Sequence, residues 1–303
     1  MATKTPTPPV VDTDALLPKM DAFMRTMHHV ALDFTIEPKK KHIATCIDYQ
    51  DLNQLRSEFL REMIASVTRY VYSKGKQDEI LSAESVDREP SDAHSILQQR
   101  AKEKFRPSSV QGQFSELLLF NLLMYHFKAV PIIRKMKITT NTELERNGAD
   151  AIHLRRELNK YFLYLGEAKT YTSGFKAAFK KALESILETH SNHRDELNLY
   201  KYEDFLEPEL RKVAESYIDN TLKDFEVHFV CIITYCCGEM ELGADRDKTI
   251  QKYVDSITEE TKKIKTSDYP TIDAAIKARI NYIFMPVNEL DKLIEDFKTK
   301  VGV

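Results

Sequence analysis

The chain has 303 residues, of which 42% are hydrophobic and 30% charged, with few Gly and Pro and no Trp. That profile excludes a disordered or fibrous chain and leaves room for one large core or two modest ones. The net charge is −3, which alone neither implies nor excludes a polyanionic partner. No window reaches the ~18 uninterrupted apolar residues of a membrane span. The N-terminal MATKTPTPPVVDTD lacks an apolar signal core behind a basic start, so the sequence predicts a cytoplasmic protein with no membrane partner.

Residues 1–14, rich in Thr and Pro, read as a flexible tail. Residues 15–107 form an N-terminal α/β region with no recognisable chemical motif. Ala15 to Met27 has helical spacing, HVALDFTI reads as a short strand, and Asp51 to Tyr72 is an amphipathic helix with Leu52, Leu55, Phe59, Leu60 and Ile64 on one stripe. The polar run KGKQDEILSAESVDREPSDAH is expected to be loop, followed by a helix over Ala93–Lys104. The Pro107-Ser108-Ser109 stretch marks a domain boundary.

From residue 108 to 303 the elements become more regular. Gln113 to Phe127 is strongly apolar and helical, and Pro131 to Thr140 reads as a strand. Gly148-Ala149-Asp150 opens a second strand, AIHL, followed by RRELNK as a turn or a longer hairpin arm. Tyr161 to Lys169 is a third strand, and Ser173 is the expected N-cap of a helix running to about His190. An acidic, mostly helical segment follows. Val227 to Cys237 is a strand apolar enough for burial on both faces. Thr249–Lys265 and Ile272–Ala278 are helices, Ile280–Val287 is a last strand, and Asn288 is expected to cap a terminal helix. This order describes an α/β fold with a mixed sheet flanked by helices and an extra N-terminal domain.

Charge is unevenly distributed. Lys128 to Lys181 holds twelve Lys and Arg against five Asp and Glu, whereas Asp195 to Glu226 holds ten acidic against four basic residues. Such asymmetry fits a polyanion-binding face, and equally fits solvated helix and hairpin surfaces. Cys46, Cys231, Cys236 and Cys237 contain no CxxC pair, so neither zinc nor a disulfide framework is supported. His190 and His193 offer two donors without a third and are expected on a helix surface.

Glu167 and Lys169, two apart on a strand, share a face. If their strand pairs as a hairpin with the one opened by Asp150, two carboxylates converge beside an ammonium. Hard divalent cations such as Mg²⁺ take one or two carboxylates plus substrate phosphate, and a lysine there can orient water or neutralise charge developing on phosphate. Glu116, among Phe114, Leu117, Leu118, Leu119 and Phe120, either faces solvent on a narrow polar stripe or is buried with a partner or cation.

A helical Glu, an Asp opening a strand and an E-x-K ending an apolar strand give an order that resembles the PD-(D/E)xK nuclease superfamily, over residues 111–237. More narrowly, GQFSELLLFNLL, GADAIHL and YLGEAKTY resemble the HamA family of Hachiman antiphage defence systems. The resemblance implies a restriction-endonuclease-like fold and a DNA nuclease using Mg²⁺ or Mn²⁺. Asp150 and Glu167 would be metal ligands, Lys169 the catalytic lysine, and Glu116 an accessory ligand. Lys176, Lys180 and Lys181 would contact DNA, and the partner would be a superfamily 2 helicase (HamB-like). One departure is that Ala149 stands where the superfamily motif has proline. The rival from another class is an inactive nuclease fold that binds DNA or the helicase as an adaptor. Glu203, Asp204, Glu207 and Glu209 in the acidic segment are candidates for restraint or partner contact.

Overall fold

Strands whose central residues are buried on both faces build the centre of this molecule. The computed structural model describes residues 10–134, 149–171, 174–199, 209–238 and 243–303. Among these, β1 (Met27–Asp33), β2 (Lys41–Ile47), β5 (Val130–Pro131), β6 (Ala151–Glu157), β7 (Lys160–Tyr171), β8 (Phe225–Cys236) and β9 (Ile280–Val287) form one mixed sheet. Its order is β1-β2-β9-β8-β7-β6-β5. The central run β2, β9, β8, β7 is parallel, and β1, β6 and β5 join antiparallel. The short strands β3 (Tyr49–Gln50) and β4 (Asn53–Gln54) form a separate hairpin.

Helices cover both faces. On one lie α2 (Arg56–Val71), α5 (Val110–His126) and α10 (Leu290–Val301), which share a core with Ala151, Tyr164, Val230, Ile232, Ile283 and Met285 of the sheet. On the other lie α6 (Phe175–Leu199) and α7 (Arg211–Ile218), over Ile152, Leu163, Leu165, Phe229, Cys231, Ile233 and Phe284. The helix α8 (Arg246–Lys262) contacts β2 and β9 and closes a small cluster of Cys46, Tyr49, Ile250 and Tyr253. The N-terminal part thus contributes β1 and β2 to the sheet and α2 to the α5 side.

Several local expectations are corrected. The polar run after residue 73 is not loop: Lys74–Glu84 is helix α3, capped by Ser73, whose Oγ accepts from the Lys76 amide. It buries only Ile80 fully, so no periodic stripe announces it. It packs on α4 (Pro90–Lys102). β2 was not expected either, because KHIATCI is short and weakly alternating. Ala15 to Met27 resolves into a 3₁₀ turn at Asp14–Leu16 and a single helical turn, α1 (Asp21–Met24). The cap of α10 is Glu289, in left-handed conformation at φ 52, rather than Asn288. The segment Ile272–Ala278 narrows to α9 (Ala274–Ala278). Of the strand expected over 131–140, residues 135–140 lie outside the described residues, as do Ser173, Glu203, Asp204 and Glu207. RRELNK takes the longer-arm form: β6 runs to Glu157, and Leu158-Asn159 turns the hairpin with Leu158 at φ 53.

Candidate active site

The β6–β7 hairpin determines which side chains meet. Its ladder pairs Ala151 with Gly166, and the Asp150 amide donates to the Gly166 carbonyl at 3.0 Å. Asp150 therefore stands opposite the start of G-E-A-K. Alternation sends Leu163, Leu165, Glu167 and Lys169 to the α6 face, and Asp150, Ile152 and Leu154 to that same face. Asp150 Oδ2 accepts from the Ala168 amide at 2.8 Å, and Lys169 Nζ donates to Glu167 Oε1 at 2.6 Å. Glu167 is only 4% exposed. The hairpin expected from sequence thus forms, and Asp150, Glu167 and Lys169 come together.

Burial and the neighbouring Asp150 carboxylate hold the Glu167 carboxyl well above its usual range, more than Lys169 draws it down. For Lys169, burial acts to release the proton, but Glu167 and Asp150 outweigh it, and the ammonium is held more firmly than usual. Cys231, the register partner of Glu167 on β8, is a fully buried thiol raised far above its usual value by burial and then by the Glu167 charge. It is inert packing under the carboxylates rather than a nucleophile.

This donor set fits a hard divalent cation. Two carboxylates lie side by side in a desolvated place, where one otherwise favours a proton, and positive charge between them removes that conflict. Among the described residues no group of three or more His, Cys, Asp and Glu could hold an ion, so an ion here would have Asp150 and Glu167 as its side-chain ligands. Glu116 is not gathered with them into such a group. It lies on α5, half-buried, and its Oε2 accepts from Tyr70 Oη of α2 at 2.9 Å. Tyr70 is fully buried, and its phenol is raised well above the ordinary value by burial, then by Glu116, with a smaller effect from Asp150. Glu116 and Asp150 therefore act electrostatically on one phenol.

The three lysines proposed for DNA lie in the first turns of α6. Lys176 and Lys180 both pair with Asp268, at 2.7 and 2.8 Å, and Lys181 pairs with Glu184 at 2.8 Å. Asp268 is buried, and the two lysines with the Lys265 amide hold it well below the usual carboxylate range. His193 corrects the expectation of a surface position: it is buried, and its Nε2 shares a 2.6 Å hydrogen bond with Tyr217 Oη of α7. Cys46 and Cys231 are buried, Cys236 and Cys237 half-buried, and all four are free thiols.

Three residues at the site escape a reading of the sequence alone. Tyr70 comes from the N-terminal part and carries no motif. Thr189 Oγ1 donates to Glu167 Oε2 at 3.4 Å, and Glu196 Oε2 accepts from the Ala149 amide at 3.0 Å. A signal for these two existed: Thr189, His193 and Glu196 are polar residues at helical spacing on a stripe that is apolar up to Ile186. Among the described residues no helix is long and apolar enough to cross a membrane.

No curated protein matches the chain. A family model described as HamA matches residues 21–301, nearly the whole sequence and all of the elements that carry these side chains. The chain therefore belongs to the HamA family, a component of Hachiman antiphage defence.

Proposed function

We propose that this chain is the nuclease subunit of its defence complex, hydrolysing phosphodiester bonds of DNA with Mg²⁺ or Mn²⁺ held by Asp150 and Glu167. The observation that carries the reading is the meeting of Asp150, Glu167 and Lys169 on one sheet face, with the Lys169 ammonium 2.6 Å from Glu167. A cation bound there supplies Lewis-acid polarisation of the phosphate and lowers the pKa of a bound water. Asp150 and Glu167 supply its anionic oxygens, and two bonds keep the carboxylates in register: the Asp150 amide donates to the Gly166 carbonyl, and the Ala168 amide donates to Asp150 Oδ2. Lys169 keeps its proton, since the two carboxylates beside it favour the charged form. It therefore serves as a fixed positive charge toward the scissile phosphate and a donor that orients attacking water, not as a general base. Lys176 and Lys180 contact the DNA backbone only by leaving Asp268. A superfamily 2 helicase of the HamB type controls access, and Glu209, the described member of the acidic quartet, belongs to the surface proposed for that contact.

A second reading, an adaptor with a nuclease fold that binds DNA or helicase without cutting, draws on the absence of a third carboxylate from the ion-holding pair among the described residues. Incubating the purified chain, with and without the helicase, on supercoiled plasmid in Mg²⁺ separates the two. Nicking that disappears in EDTA supports the nuclease. A gel shift without nicking under every condition supports the adaptor, and cleavage undiminished by EDTA excludes the metal mechanism.

A further inference from the structure

We propose that Glu196 and Thr189, in the second half of α6, are positioning residues that hold Asp150 and Glu167 in ligating geometry, an inference resting on the reading of that pair as a cation site. The buried face of α6 changes character along its length. From Phe175 through Ala178, Phe179, Ala182 and Leu183 to Ile186 it is apolar, and then Thr189, His193 and Glu196 take the same stripe, each less than a tenth exposed. A hydroxyl and a carboxylate on the core side of a helix are costly to bury unless they find partners. His193 finds Tyr217 on α7. The other two find the candidate site. Thr189 donates to the second oxygen of Glu167, whose first oxygen takes Lys169, so both carboxylate oxygens have a donor. Glu196 accepts from the amide of Ala149, the residue immediately before Asp150.

The place of that second bond is telling. The β6–β7 ladder engages the backbone from the Asp150 amide onward, so the Ala149 amide is the backbone donor immediately before the ladder begins. Proline at 149 would fix φ and carry no amide hydrogen. Alanine leaves φ unrestrained and leaves a buried donor to be satisfied, and Glu196 supplies the restraint together with the acceptor. Thr189 and Glu196 are two turns apart on one rigid helix, so α6 grips the ligand side chain on β7 and the chain entering β6 at once. Outer partners of this kind orient metal-binding carboxylates, and their loss commonly costs about 10–100-fold in metal affinity.

The test is direct Mn²⁺ binding to the full chain, followed by electron paramagnetic resonance, which reads the site without any cleavage. Glu196→Leu should weaken binding by about tenfold or more. Glu196→Gln, whose amide oxygen can still accept from Ala149, should stay within about threefold of wild type. Thr189→Val, which keeps shape but removes the donor, should lose several-fold. Wild-type affinity in Glu196→Leu or Thr189→Val overturns the proposal. So does a Glu196→Gln as weak as the leucine variant, since the effect would then be the charge and not the bond. Should Glu196→Leu fail to fold by circular dichroism, the glutamine and valine variants decide by the same criteria. Absence of Mn²⁺ binding by wild type, or binding by Glu167→Gln equal to wild type, marks a different failure: the cation reading of the pair falls and takes the positioning role with it.

Discussion

The two long helices that sandwich the β6–β7 hairpin solve burial in opposite ways. α5 is buried almost all round, with Phe114, Leu117, Leu118, Leu119, Leu122 and Leu123 against the sheet and α2. Its carboxylate, Glu116, is met by the neutral donor Tyr70. α6 is apolar along its first half, and its second half, beside the buried Leu197, turns polar groups toward Glu167 and Ala149. The α5 side is apolar packing and the α6 side gathers polar and charged groups, and β7 carries the difference by strict alternation: Gly166 and Ala168 face α5, Glu167 and Lys169 face α6. A single strand can therefore pack closely on one face and gather charge on the other.

The hardest break to that contrast is on the α6 face. Glu167→Gln and Lys169→Ala should each lower plasmid cleavage by about 10²–10⁴-fold, with unfolding midpoints close to wild type, and a folded Glu167→Gln that cuts at the wild-type rate removes the site assignment. The same face sets a pH dependence. The folded chain binds the Glu167 proton more tightly than the unfolded chain, so this group's contribution to stability is full below the ordinary carboxylate value and is lost as pH rises through the raised folded one. Thermal melts of the metal-free protein should therefore fall with pH across that window, and Glu167→Gln should flatten the fall. Cleavage should run the other way, rising as the carboxyl gives up its proton.

The α5 face responds in stability. Gly166→Ala would place a Cβ 2.8 Å from Leu119 Cδ2 and 3.1 Å from Ala151 Cβ, an overpacking that costs about 1–3 kcal/mol in urea unfolding. An unchanged midpoint would mean that α5 can move off the strand. Tyr70→Phe removes one hydrogen bond to a half-buried carboxylate and should cost about 1 kcal/mol, with cleavage nearly unchanged if Glu116 holds no cation. A large loss of cleavage would instead join Glu116 to the chemistry. The smallest effect belongs to the lysines. Replacing Lys176, Lys180 and Lys181 together by Ala should flatten the log–log salt slope of DNA binding, by up to about three units if each contacts phosphate. Because Asp268 already holds two of them, a change nearer one unit is expected, and Asp268→Asn should modestly strengthen DNA binding. An unchanged slope would leave these lysines as an ion-paired helix surface.

Local rules in the sequence were enough to place Glu167 and Lys169 on one face of a strand, to make α5 an apolar helix, and to offer a hairpin as the way Asp150 could meet E-x-K, because a period of two and a short turn are properties of neighbouring residues. They could not reveal α3, whose one fully buried residue leaves no stripe, nor β2, which is a strand because β1 and β9 offer it edges. Nor could they pair Lys176 and Lys180 with Asp268, or bring Tyr70 to Glu116 and Glu196 to Ala149. Each of those contacts joins residues more than 40 positions apart, where separation along the chain carries no information about separation in space. The sequence by itself determined which side chains could do chemistry; the tertiary structure decided which of them are desolvated, held and paired, since burial and long-range hydrogen bonds exist only once the helices have closed over the sheet.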